Sequence, residues 1–357
     1  MRSLRVRAVV AAVVLVGSAP PAAVHAAAAP APLRDVPLPF LWPRAEVSSV
    51  AAVSGTEAWV TGGQGRVGGS AGNPVVRHRV GSQWKEYPLG GWSGNGYVSQ
   101  VVAHGGEVWV RGLQDPAGTA RLYLARFDGT AFRPVAPPAE IASAHDVALW
   151  GGPAGVWIRV GVEAGENEIR PALFRRTGGS WTADPVVERL NLGGLSDLQA
   201  VSATEAWAGA CRWNAVIGAL ESVTLRWDGS TWTTLPPLPS EGCDTSVAPA
   251  GGGTAWTLTW NATLHHWNGT SWTTAPAGPF STNGKKVRLD GDGNPLVTVN
   301  NAIIYGLAPL LRYADGQWQT FPTPVTTWTS DFSVAPGGRI WVAGATRIDS
   351  PVFLTSP

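Results

Sequence analysis

Charge is scarce in this chain. Asp, Glu, Lys and Arg make up only 14% of its 357 residues, and the formal net charge is +1. No basic surplus is present to neutralise phosphates, so nucleic acid is not an expected partner. Helical periodicity is absent throughout. With no helix there is no Gly-rich phosphate loop opening onto one, and no Ser/His/Asp constellation stands out among the few histidines. No cofactor or metal is expected. Past the N-terminus, no stretch is long and apolar enough to insert into a membrane. Methionine occurs once and cysteine twice.

Glycine, proline and tryptophan are abundant instead, at 44, 29 and 19 residues. Such a turn-rich balance points to an all-β chain. The first residues, MRSLRVR, are basic, and AVVAAVVLVGSA is apolar. Val24 and Ala26 then offer small residues for cleavage. Residues 1–26 therefore read as a signal peptide, 27–33 as a disordered Ala/Pro spacer and 34–357 as one domain. No cysteine stands at the cleavage point, so a lipid anchor is not expected. The expected localisation is extracellular or at the cell wall. In that compartment the isolated pair Cys211 and Cys243 favours a disulfide.

The domain is a repeat. TEAWVTGG at Thr56 returns as GEVWVRG, AGVWIRVG, TEAWAGA, GTAWTLT, GNPLVTV and GRIWVAG. A step near 50 residues suits propeller blades. In the fourth unit DLQAVS, EAWAGA, SVTLRW and TWTTLP read as strands A to D, with an Asp-Gly turn of type I′ between C and D. Seven B strands imply seven four-stranded blades. The last blade lacks its strand D, and residues 35–40, DVPLPF, resemble the D-strand tail TTLPPLP. The expected fold is thus a seven-bladed β-propeller, closed by its N-terminal segment and monomeric.

The pattern AVSATEAW…LRWDGSTW resembles secreted actinobacterial repeat proteins with units of the form sTdvWavG…hWdGtsW. The resemblance covers nearly the whole mature chain. It implies a β-propeller and no particular chemistry.

Several motifs invite a functional reading. Asp128, Asp228, Asn268 and Asp315 sit in C–D turns, where turn chemistry explains them better than cation binding. The loop DGDGN at Asp290 begins like a calcium site but has Pro295 and Asn301 where glycine and glutamate belong. A basic column, His78, Arg126, Arg175, Arg226, His266 and Arg312, is expected to hydrogen-bond a neighbouring strand. His265 and His266 point to opposite faces and do not make a metal pair.

Propeller geometry adds two candidate sets. D–A and B–C loops emerge on one face, here called the top, which also places Cys211 and Cys243 together on neighbouring blades. Six of the nineteen tryptophans lie outside the repeat: Trp42, Trp92, Trp150, Trp213, Trp260 and Trp328. All but Trp150 fall in top-face loops, with Tyr97 and Tyr305. They could stack on sugar rings or anchor a protein, or pack the loops onto the blade rims. The second set is a column at the mouth of strand A: Asp146, Asp197, Asp244 and Asp331, with Ser49, Gln100 and Lys285 or Lys286 in the other blades. Converging carboxylates could serve acid–base catalysis, or tie each blade to the next. Three functions stay open: a binding module for an extracellular glycan or protein, a carbohydrate-active hydrolase or lyase, and a structural surface protein.

Overall fold

β-Branched and aromatic residues alternate with small ones between glycine turns, and each such run becomes a short strand. The structure, a computed structural model, describes residues 29–66, 72–115, 120–165, 168–216, 218–238, 243–279, 284–299, 310–324, 327–346 and 350–357. The strands form seven four-stranded antiparallel sheets, six of them meanders of consecutive strands. The fourth blade runs through Leu192–Ser202, Glu205–Asn214, Ala219–Trp227 and Trp232–Thr234.

The seventh blade has Thr327–Val334, Ile340–Thr346 and Pro351–Thr355 as its inner strands. Its fourth strand is Arg34–Asp35, paired in register with Thr355 and Leu354. The N-terminal segment therefore closes the ring, one residue earlier than DVPLPF suggests. Pro37 belongs to the crossing tail. Its carbonyl accepts the Trp84 indole N–H at 2.9 Å, as Pro236 accepts Trp272 and Pro276 accepts Trp318, both at 2.8 Å. In blades one, five and six the D-strand tryptophan thus staples its blade to the proline tail of the one before.

The repeat tryptophans form the core. Trp59, Trp157, Trp207 and Trp341 are all but sealed from solvent. Across strand C each B-strand tryptophan of the first five blades faces the basic column: Trp59 pairs with His78, Trp109 with Arg126 and Trp207 with Arg226. The acid two residues before the tryptophan completes the clasp. Arg126 reaches Glu107 at 2.8 Å and Arg226 reaches Glu205 at 3.1 Å, while the indoles of Trp109 and Trp207 donate to those carboxylates at 3.1 Å. His78 stacks on Trp59 with centroids 3.9 Å apart and bonds Glu57 at 2.8 Å. The basic column is structural, though its partners lie mostly within its own blade.

Two expectations need correction. Only blades three and six have two-residue C–D turns with positive φ at both positions, Gly178–Gly179 and Asp315–Gly316. In the blades with Asp128, Asp228 and Asn268 the loop has four residues and only the glycine has positive φ. There the side chain takes over: Asp228 Oδ1 accepts the amides of Thr231 at 2.8 Å and Ser230 at 2.9 Å. Those bonds hold its carboxyl well below the usual range. The chain also contains one short helix, Val186–Arg189, in the crossing from blade three to blade four. Its Val186 and Val187 are buried against the blade-four sheet.

Strand A carries a register shift near its top in every blade, for example between Val47 and Ser49 and between Thr329 and Asp331. Such bulges bend the strand into the channel wall. In blades one, two and seven they bring strand A's backbone against the glycine three residues after the repeat tryptophan. A Cβ on Gly62 would stand 1.8 Å from the Glu46 carbonyl oxygen, and one on Gly344 would stand 2.0 Å from that of Trp328.

Candidate functional site

The bulge resets the count along strand A, and this decides which residues ring the channel. Two positions beyond the repeat tryptophan, strand B faces Ser49, Gln100 and Ala148 in the first three blades. In the last four it faces Asp197, Ser246, Lys286 and Asp331. Asp197 and Asp331 therefore occupy the column, whereas Asp146 and Asp244 lie two residues above it. The four-aspartate ring does not form, because Asp197 and Asp331 stand ten residues before their repeat tryptophans, whereas Asp146 and Asp244 stand eleven and twelve before theirs, at or beyond the register shift above the column. Asp146 instead holds Arg159 at 2.7 Å. The Asp244 side chain lies outside the described residues.

The column residues stitch neighbouring blades together. Asp331 accepts the Ser49 hydroxyl at 2.9 Å and the Val50 amide at 3.1 Å, joining blade seven to blade one. Gln100 bonds both backbone groups of Leu149, joining blades two and three. Arg159 donates to Leu195 in blade four at 3.1 Å. Asp197 accepts the Ser246 hydroxyl at 2.5 Å and the Val247 amide at 3.2 Å in blade five, and Arg288 of blade six at 2.7 Å. Ser246 Oγ accepts the Val287 amide at 3.0 Å. Lys286 reaches across to Asp331 at 2.6 Å and to the Phe332 carbonyl at 2.7 Å.

Burial pushes the carboxyls of Asp197 and Asp331 up, but Arg288 and Lys286 beside them more than reverse it, so both titrate below the usual carboxylate range. A general acid at neutral pH needs the opposite shift. These carboxylates are suited to holding blades together. At this level the channel encloses a cavity of about 500 Å³, whose charged lining residues are Arg111, Lys285, Lys286, Arg288, Asp197 and Asp331.

Among the aromatic candidates, Trp42 and Trp328 come together. They line one cleft of about 880 Å³ at the rim between blades seven and one, with Arg44, Glu46, Arg66 and Ser330. Trp42 is 57% exposed. Its amide donates to Gln64 at 2.9 Å, and its ring rests on Gly65, where a Cβ would come within 3.3 Å of it. Gly65 has φ +65°, so glycine is favoured there twice over. Arg66 and Glu46 form an ion pair at 2.5 Å across the cleft floor.

The remaining candidates are dispersed. Trp213 and Trp260 are exposed on blades four and five, whose rims the Cys211–Cys243 disulfide ties together. Trp92 packs edge-on against Tyr123 at 4.8 Å and over Gly96 and Gly112, filling a rim gap. Tyr97 pairs with Leu113 in the second blade. Trp150 is buried opposite Trp157. Tyr305 lies outside the described residues. The cations Arg111, Lys285, Lys286 and Arg288 were missed as a set in the sequence, because nothing local says that they converge.

No family model matches the chain, and no curated protein matches it by sequence. Solved structures match it in fold. YCF48 from Cyanidioschyzon merolae is similar over 91% of this chain and 99% of its own, at 15% identity and a TM-score of 0.57. The β-propeller domain of the Trilobed protease from Pyrococcus furiosus is similar over 87% of this chain and 95% of its own, at 9% identity and a TM-score of 0.54. A catalytically inactive virginiamycin B lyase from Staphylococcus aureus, crystallised with quinupristin, covers 91% of this chain and 99% of its own at 12% identity and a TM-score of 0.52. At these identities the likeness is one of fold.

Proposed function

We propose that this chain is a secreted β-propeller binding module that takes an extracellular glycan on its D–A/B–C face. The cleft between Trp42 and Trp328 carries the reading. Its aromatic walls suit the apolar faces of sugar rings, and the adjoining Arg44, Glu46 and Arg66 suit hydroxyls. The signal-like N-terminus and the intramolecular disulfide are compatible with an extracellular setting. The repeat pattern shared with secreted actinobacterial proteins points the same way. A protein partner is the alternative occupant of the face.

A glycan-array screen with residues 27–357 tests this. Glycan hits that weaken in Trp42→Ala and Trp328→Ala are the expected result. No glycan hit, together with turnover of a polysaccharide panel, would show an enzyme instead. No hit and no turnover, with capture of a defined extracellular protein through the same tryptophans, would replace the glycan by a protein.

A further inference from the structure

The cleft and the channel mouth are neighbours. Ser330 lines both, and the Lys285 ammonium in the mouth is attracted by Asp331 beside it and, less strongly, by Glu46 of the cleft. Their chemistry is complementary: the cleft is walled by indoles, while the mouth is cationic. Among the described lining residues, Arg111, Lys285, Lys286 and Arg288 stand against Asp197 and Asp331 alone. Adding the Asp146–Arg159 pair just above leaves the balance unchanged. A surplus of positive charge therefore sits in a concave, partly enclosed space, where a field is focused rather than dispersed.

The two carboxylates are already committed. Asp331 is held by Lys286, and Asp197 by Arg288. Lys285 is exposed, and its ammonium donates to the Ser330 carbonyl, a neutral acceptor on the wall shared with the cleft. It stands where a ligand leaving the cleft would meet the mouth.

We propose that this face selects acidic saccharides. A pyranose ring stacks in the Trp42/Trp328 cleft, and a uronic-acid carboxylate, on that ring or the next, lies over Lys285 at the channel mouth. This rests on the glycan-binding reading and adds the charge of the ligand. An ammonium is a point charge that accepts a carboxylate in many orientations, which suits a flexible sugar acid.

The test is a tryptophan-fluorescence and calorimetric titration of residues 27–357 with oligogalacturonate and with its fully methyl-esterified, neutral form. The acid is expected to bind at least about tenfold more tightly, and the difference should shrink as salt is raised. Lys285→Gln keeps a donor for Ser330 and should remove most of the preference. Arg133→Gln deletes the same charge near a C–D turn on the opposite face and should leave the preference intact. Near-UV circular dichroism confirms that both variants are folded. Equal binding of acid and ester overturns the acidic selectivity while leaving a glycan site standing. Failure of both probes, with binding to neutral glycans on the array, also overturns it. Failure on every glycan removes this inference and the glycan-binding reading together.

Discussion

Replacing Asp197 by asparagine keeps the shape of the side chain and removes its charge. The carboxamide oxygen could still accept the Ser246 hydroxyl and the Val247 amide, so the loss falls on the pair with Arg288 and on the Leu198 amide that the other carboxylate oxygen accepts. Asp197 is 8% exposed and Arg288 22% exposed at their side chains, at 2.7 Å. Breaking a buried pair leaves an uncompensated charge and costs about 3–5 kcal/mol. The partial exposure of Arg288 puts the expectation near the lower end, at about 3 kcal/mol. In a domain of this size that lowers Tm by roughly 4–5 °C. Arg288→Met, which strands the carboxylate instead, should cost about as much. The double variant strands nothing, so its loss should fall short of the sum by about 2 kcal/mol. Urea unfolding at pH 7, with the disulfide intact, measures all three. The pH dependence is a second readout. The folded carboxyl titrates below its unfolded value, so its contribution is full at neutral pH. It fades only as pH drops below about 3.9 and is gone below the folded pKa. Asp197→Asn should therefore lose little of its difference from wild type until that range. Additive single losses, or singles within about 1 kcal/mol of wild type, would refute the view that this pair locks blades four, five and six.

Other outcomes follow from the same geometry. Gly62→Ala forces a methyl group to 1.8 Å from a carbonyl oxygen and should cost more than about 3 kcal/mol or prevent folding, read by soluble yield and urea melts. Removing the disulfide by paired Cys211→Ala and Cys243→Ala frees a loop of sequence separation 32 and should cost about 3–4 kcal/mol, seen by calorimetry with and without reductant. Burial pushes the His265 imidazole down to about 4, so stability should fall as pH drops from about 6.5 towards 4, by roughly 3 kcal/mol, and His265→Gln should flatten that slope in urea melts. Trp42→Ala and Trp328→Ala should weaken glycan binding by about tenfold or more, while the equally exposed Trp213, away from the cleft, should tolerate alanine in the same titration.

The propeller was legible because its signals are local and repeated. Trp59, Trp109, Trp157, Trp207 and Trp341 mark strand B, and glycine-rich turns mark the hairpins. The closing strand was legible because Asp35 to Phe40 echo the other blades' tails. The candidate site was legible only in part. Trp42 and Trp328 stood out as tryptophans off the repeat, but they lie near opposite ends of the chain, and only ring closure brings them to one cleft. Trp92 stood out equally, yet it fills a gap over Gly96 and Gly112, a use that depends on the neighbouring strand.

The aspartates mark the limit most clearly. Their common place at the mouth of strand A put Asp146, Asp197, Asp244 and Asp331 in one column, and the register with strand B puts only Asp197 and Asp331 there. A bulge is a cross-strand event, and Asp146 and Asp244 lie at or beyond it, so their place relative to the column depends on the pairing with strand B. By itself the sequence determined the number of blades, the strand order and the tryptophan core, all consequences of short-range periodicity and turn chemistry. Only the tertiary structure decided which side chains meet at the channel mouth and the rim, because those meetings depend on register, on ring closure and on charges brought together from different blades.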